Sequence, residues 1–364
     1  MERPGTSRSE SHRTRIAARG WPMISAVEQA RAGLRSWQFW LGLGISIACL
    51  VLVFRGVDFQ ELASALRAAD YVWLVPAVAL LVASLAARAV RWRGLFFPQT
   101  GLKLATLFDV LNISYLINNI IPARVGDLAR AGLISTREPV SASRALATVV
   151  VERVLDGLTL VVMLGLLLPL FPVPAWIGRL GQVAGVSMAA AGVGLMVLST
   201  QRARSVRWSH AVLQRIPRVD GVRWAERVGN LVDGLGALRS PAALGQAGAW
   251  SVVVWLLSGA AYYFVLRAFD LGLSISAGLF VLVVTTLVLI VPATPGYVGV
   301  FDYTAVLALS VFGVERSLAL SCAIVLHAVS YATFSVMGLI SLVRESLSLS
   351  AVIRGGEPPV IGEQ

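Results

Sequence analysis

The sequence predicts an all-α polytopic membrane protein of about six spanning helices and two re-entrant helical hairpins, arranged as an inverted repeat. Three observations point there. Only 14% of the 364 residues are charged and 57% are hydrophobic, whereas a soluble domain carries about 25% charged residues. Apolar runs near the ~20 residues needed to cross a bilayer recur along most of the chain. Two of those runs are broken by proline and glycine and followed by stretches too short to cross alone. The formal net charge of +11 does not indicate a nucleic-acid partner. Its basic residues fall between apolar runs, as loop residues on the cytoplasmic side of a membrane do.

Residues 1–36 hold seven arginines against three acids, lack helical periodicity, and are expected to form a disordered basic cytoplasmic tail. Trp37 and Trp40 open the first span, 37–54, as interfacial anchors. Cys49, inside that span, and Cys322 fit packing or lipid-facing roles better than a disulfide or a metal pair. A short amphipathic loop follows, with Asp58, Glu61 and Asp70. The second span opens at Tyr71 and Trp73 and closes at Arg88, Arg91 and Arg93. Further spans lie near 145–170, 180–199, 243–267 and 318–343. Between 200 and 240 a basic stretch including Arg202, Arg215 and Arg227 is expected to lie along the headgroups. Residues 344–364 form a second cytoplasmic tail. Gly42, Gly44, Gly192 and Gly194 are read as small residues for close helix packing.

The run 104–121 ends in Ile121-Pro122-Ala123-Arg124-Val125-Gly126-Asp127, and the run 276–291 in Pro292-Ala293-Thr294-Pro295-Gly296-Tyr297-Val298-Gly299. Both are read as hairpins, because non-helical backbone at membrane depth survives only inside protein or beside a watery cavity. If both return to their side of entry, cytoplasmic segments hold 23 of the 31 Lys and Arg residues and outer loops hold four. A spanning hairpin would flip every later loop, and the basic 200–240 stretch could then land outside, so the charge rule favours re-entry with both termini cytoplasmic. Pro122 to Gly126 and Pro295 to Gly299 share the pattern P-x-x-V-G, each followed by an aspartate, Asp127 and Asp302. The domain 37–343 thus divides into halves, 37–171 and 180–343, of opposite orientation. Paired broken helices in inverted halves point to a midplane substrate site.

Arg124, Asp127 and Arg130 stand at the first break, where free helix N–H groups and guanidiniums suit an anion. The competing reading is local: Asp127 caps its helix and pairs with Arg130 at i, i+3. Glu152, Arg153 and Asp156 lie inside the span 145–170, where charges are costly and usually face a bundle interior or a cavity. They either contact the hairpin site or form a structural pair, Arg153 with Asp156. Asp109, Asn112, Tyr115 and Asn119 give a polar stripe that serves either a site or interhelical hydrogen bonding. His327 is a lone mid-span histidine, read as satisfied by a neighbour. His12, His210 and His327 are scattered, so no metal is expected. Nor does any P-loop or dinucleotide fingerprint suggest a cofactor.

Taken in order, Asn118-Asn119-Ile-Ile-Pro122-Ala-Arg124-Val-Gly126-Asp127-Leu-Ala-Arg130, Glu152-Arg153-Val-Leu-Asp156 and Pro295-Gly296-Tyr-Val-Gly299-Val-Phe301-Asp302 resemble the lysylphosphatidylglycerol synthase transmembrane family. That family is also called flippase-like. The likeness spans residues 37 to 343. It implies a membrane domain that moves lipid between leaflets of the cytoplasmic membrane. Two departures matter. No soluble aminoacyl-transferase domain follows residue 343, so synthase activity is not expected, and Asp302 stands where glutamate is expected. The resulting expectation is a lipid translocase with a membrane lipid as substrate. Asn112, Asn119, Arg124, Asp127, Arg130, Glu152, Arg153, Asp156 and Asp302 would form the substrate site. Pro122, Gly126, Pro292, Pro295, Gly296 and Gly299 would form the breaks. The alternatives are a membrane enzyme transferring sugar from a polyprenyl phosphate, or a subunit presenting lipid to a separate lipid-modifying or glycosyl-transferring enzyme.

Overall fold

The computed structural model describes residues 37–99, 101–121, 125–201, 221–289 and 295–347. The tail 1–36, most of the C-terminal tail, the stretch 202–220 and the break residues Pro122, Arg124 and Pro292 lie outside them. No strand occurs among the described residues. The chain opens with α1 (Trp37–Phe54) and α2 (Phe59–Ala68), then a 3-10 turn and α3 (Leu74–Leu95). Next come α4 (Leu104–Ile120), α5 (Val125–Arg137), α6 (Ala142–Leu167), α7 (Ala175–Thr200), α8 (Gly221–Gly234) and α9 (Pro241–Ala268). Last are α10 (Ile275–Val288), a 3-10 turn Pro295–Tyr297, α11 (Val300–Ser310) and α12 (Arg316–Arg344).

Among the described residues, five helical stretches are long and apolar enough to cross a membrane: Tyr71–Leu95, Ala142–Leu170, Ala175–Thr200, Pro241–Ala268 and Arg316–Arg344. α1 and α2, bent by 87° where they join, add a sixth only if the pair is counted as one span. The segment read as a loop at 58–70 is thus mostly α2. Asp58 starts it, its Oδ1 accepting from the Gln60 N–H at 2.7 Å and the Glu61 N–H at 3.3 Å. Leu62 and Leu66, one turn apart, turn its apolar side to the main core.

Each half of the order places a broken pair before a long helix: α4 and α5 before α6, α10 and α11 before α12. Within each pair the two helices pack on one another. α9 runs along α3 and α10, and α12 along α4 and α11. α10 is apolar all round and buries Phe280, Val281, Leu282, Val283 and Val284, as a helix enclosed by others must. In lipid the hydrophobic effect does not favour helix on helix, so contact rests on close backbone approach at small residues. A Cβ on Gly278 would lie 2.7 Å from the Tyr263 nitrogen, and one on Gly338 would lie 2.8 Å from the Asn112 carbonyl oxygen. Of the glycines expected to pack, Gly192 faces Val154 of α6 at 3.5 Å, while Gly44 and Gly194 face open space. On α7 only Ile177, Ala184 and Ser199 are buried.

Candidate functional site

The polar centre of the molecule is built on α6. Glu152 and Asp156 are one helical turn apart and therefore share a face, and both are buried. Arg91 of α3 bridges them. Its Nη1 lies 2.5 Å from Asp156 Oδ1 and its Nη2 lies 3.1 Å from Glu152 Oε1. Ser251 of α9 accepts from the same Nη1 at 3.0 Å, and the Trp255 indole N–H donates to Asp156 at 3.0 Å. Arg130 of α5 donates to the other Glu152 oxygen at 2.9 Å. Its guanidinium stacks 3.6 Å above the Trp92 ring, which Thr148 holds in turn through the indole N–H at 2.9 Å. Arg153, at i, i+3 from Asp156 and 4.0 Å from its Oδ2, takes Asp127 with two donors, at 2.8 and 3.2 Å.

The first break shapes the α5 side of this cluster. The Gly126 N–H donates to Asn118 Oδ1 at 2.8 Å, and Asn118 Nδ2 reaches Asp127 at 3.4 Å. A Cβ on Gly126 would collide with the Ser114 carbonyl oxygen. Glycine therefore lets the start of α5 press onto α4, which aims Asp127 and Arg130 at α6. The local pair Asp127–Arg130 does not form. Both side chains instead cross to α6, where partners with fixed positions wait.

Among the described residues the cluster holds four arginines, 88, 91, 130 and 153, against three acids, 127, 152 and 156. The excess charge falls on Arg88. It is 6% exposed, its closest carboxylate oxygen is Asp156 Oδ2 at 3.9 Å, and it makes no hydrogen bond among the described residues. Its guanidinium lies over the rings of Trp255 at 4.8 Å and Tyr115 at 5.9 Å. Each carboxylate in the cluster is engaged by at least one guanidinium and holds it in place. A half-partnered guanidinium beside others is the donor set that phosphate takes.

The sequence-predicted residues separate into three places. Asp127, Arg130, Glu152, Arg153 and Asp156 come together. Asn112 and Asn119 turn instead to α12, the first donating to Ser341 at 3.4 Å and the second to Ser335 at 3.0 Å. Asp109 completes that seam, accepting from Ser341 at 2.8 Å and pairing with Arg344 at 3.4 Å. Asp302 lies apart with His327, at 3.1 Å. Arg124 is outside the described residues. Sequence reasoning missed Arg88 and Arg91, which it assigned to the end of a span. The signal was their i, i+3 spacing with Trp92 beside them, in a helix that runs on to Leu95. Among the described residues no three His, Cys, Asp or Glu side chains are grouped to hold a metal ion.

A family model described as the lysylphosphatidylglycerol synthase TM region matches residues 39–338. The chain is similar to the glycosyltransferase AglD of Haloferax volcanii, 25% identical over 344 residues, covering 86% of this chain and 55% of that protein. It thus spans little more than half of that relative. Two UPF0104 membrane proteins of Methanothermobacter thermautotrophicus are also similar. One is 25% identical over 317 residues, covering 82% of this chain and 92% of that protein. The other is 26% identical over 325 residues, covering 83% and 91%. No solved structure matches the chain.

Proposed function

The chain belongs to the lysylphosphatidylglycerol synthase transmembrane family, a family of multi-pass membrane proteins, and on that footing we propose that it moves a phosphate-bearing lipid between leaflets. The lipid is a phospholipid or a polyprenyl phosphate in the cytoplasmic membrane. Its headgroup enters the arginine cluster while its chains stay in the bilayer. The observation that carries this reading is the buried Arg88, which among the described residues has no hydrogen bond and stands in a cluster with one more cation than anion. Intramembrane charge is costly and is retained where it serves substrate. Asp127, Glu152 and Asp156 set the arginine positions, and the two halves act as an inverted repeat around the breaks. The approach of α4 to the Pro295–Tyr297 turn, with Cα atoms within 8 Å, supports that arrangement.

Arg153 tests the site. Its side chain is 32% exposed, so the fold should tolerate Arg153→Ala. In phosphatidylcholine vesicles with a minor fraction of fluorescent phosphatidylglycerol, that variant should transport at least roughly tenfold more slowly, the factor lost with one charge-assisted hydrogen bond. Arg153→Lys should recover part of the rate, because an ammonium cannot reproduce the paired donors. Normal transport by a folded Arg153→Ala removes the residue from the site.

Topology is tested separately. Arg88 and Arg91 are buried in α3 and leave the loop count, yet the cytoplasmic excess of basic residues persists without them. In a background lacking Cys49 and Cys322, Gln60→Cys should react with an impermeant maleimide in intact cells. Pro139→Cys should react only after permeabilisation. External labelling at 139 would mean that α4 and α5 together cross the membrane.

The name of the Haloferax relative favours a second reading, transfer of a sugar from a polyprenyl phosphate held by the same arginines. Incubation with a polyprenyl-phosphate sugar separates the two. Release of sugar to an acceptor marks an enzyme, whereas translocation of intact lipid marks a transporter.

A further inference from the structure

Away from the arginine cluster, a cavity of about 370 Å³ opens between α1, α11 and α12. Leu50, Val53 and Phe54 line it from α1, and Leu320, Ile324 and Ala328 from α12. In this apolar wall stand Asp302 and His327. His327 Nδ1 is 3.1 Å from Asp302 Oδ1, and its Nε2 is 2.7 Å from the Gly296 carbonyl oxygen. Asp302 in turn accepts from the Gly299 N–H at 3.0 Å. The pair thereby closes the second break on itself. That turn is unusual backbone: Gly296, Tyr297 and Gly299 all have positive φ, at 69°, 57° and 84°, and such conformations persist only where their surroundings hold them.

Both oxygens facing the imidazole, a carboxylate and a carbonyl, are acceptors. A neutral imidazole has one N–H and one lone pair. Either neutral tautomer therefore leaves a lone pair against an oxygen, at 2.7 or 3.1 Å. The geometry is satisfied only when the pair holds one more proton, and imidazole, the stronger base of the two, holds it as imidazolium beside carboxylate.

We propose that His327 and Asp302 form a proton-binding site that latches the second break to α12, and that lipid movement is coupled to proton release there. The coupling rests on the translocase reading; the proton site does not. Release takes the proton from His327 Nε2 to water in the cavity, while Nδ1–H stays with Asp302. The Gly296 carbonyl then faces a lone pair, and the turn comes free. Other groups around the pair leave it to act alone. Phe301 and Tyr331 flank the ring at 4.7 and 6.4 Å. α4 reaches this region through Asn119, whose carbonyl accepts from Tyr331. α9 meets α12 through the Tyr262 hydroxyl at Ser330. Among the described residues, Asp302 is the only anion on the cavity wall.

The chain has only three histidines, which makes the proton directly visible. In ¹⁵N-histidine-labelled protein in nanodiscs, His12→Gln with His210→Gln leaves one imidazole signal, that of His327. Both nitrogens of that ring should carry hydrogen. As pH rises, loss of one should coincide with a roughly tenfold or greater fall in amide protection at residues 296–301, after the rise of the intrinsic exchange rate with pH is divided out, the factor expected from losing a charge-assisted hydrogen bond. A singly protonated ring throughout, or exchange that does not follow its titration, overturns the proton site. A trapped pH dye in the phosphatidylglycerol vesicles reads the coupling, and His327→Gln should abolish the proton movement that accompanies lipid. Lipid movement without proton movement in the unaltered protein overturns coupling alone. No lipid movement at all, with the nitrogen result intact, overturns the translocase reading instead.

Discussion

Arg91→Met is expected to destabilise the folded protein by ~3–5 kcal/mol, the usual cost of removing one partner from a buried ion pair. The side chain is fully buried, and it bridges two carboxylates that are themselves at 0% and 8% side-chain exposure. Without it Glu152 keeps only Arg130, at 2.9 Å. Asp156 keeps the Trp255 N–H, and Arg88 and Arg153 at 3.9 and 4.0 Å. Methionine fills most of the volume, so the loss measures charge rather than a cavity. Adding Glu152→Gln and Asp156→Asn should recover part of the stability, because the uncompensated charges then disappear. Thermal unfolding in detergent measures both variants. A single variant as stable as the parent would mean the cluster is hydrated rather than buried.

Arg88→Gln is expected to do the opposite: little to stability, almost everything to headgroup binding. Stability should fall by about the ~0.5–2 kcal/mol of the cation–π contacts with Trp255 and Tyr115, since no hydrogen bond among the described residues is lost and Asp156, 3.9 Å away, keeps Arg91 at 2.5 Å and the Trp255 N–H at 3.0 Å. Binding depends on a guanidinium free to donate. Two charge-assisted hydrogen bonds at ~1.5–3 kcal/mol each correspond to well over a hundredfold in affinity. Mass spectrometry of phospholipid and polyprenyl phosphate retained by purified protein reads the effect. The parent should hold a distinct phosphate-bearing lipid that the variant lacks. The same lipid retained by Arg88→Gln would leave Arg88 a structural residue.

These two arginines also mark where the sequence stopped being legible. The broken helices were readable, because proline and glycine act locally. The run expected at 104–121 is α4 over Leu104–Ile120, and the run at 276–291 contains α10 over Ile275–Val288. The acids of α6 were readable too, since charge deep in an apolar run stands out. Arg88 and Arg91 did not, because a reader ends a span at its first charges. What keeps them inside is paired acids 65 residues further on in the case of Asp156, which no local window contains. The same limit applies to Asp127 and Arg130. Spacing offered a local pair, and tertiary packing supplied better-placed partners on α6.

The separation in sequence between Arg91 and its acids also constrains how the protein is made. α3 enters the membrane carrying Arg88 and Arg91 in its last two turns, where each costs less than the ~2.5–3.5 kcal/mol of a charge at the centre of an inserting helix. Its countercharge on Asp156 is made 65 residues later. At ~5–20 residues per second, that gap is several seconds of synthesis. During this interval α3 must be held by the insertion machinery or rest with its arginines drawn toward the headgroups. The ion pairs of Arg91 with Glu152 and Asp156 can close only once α6 has been made.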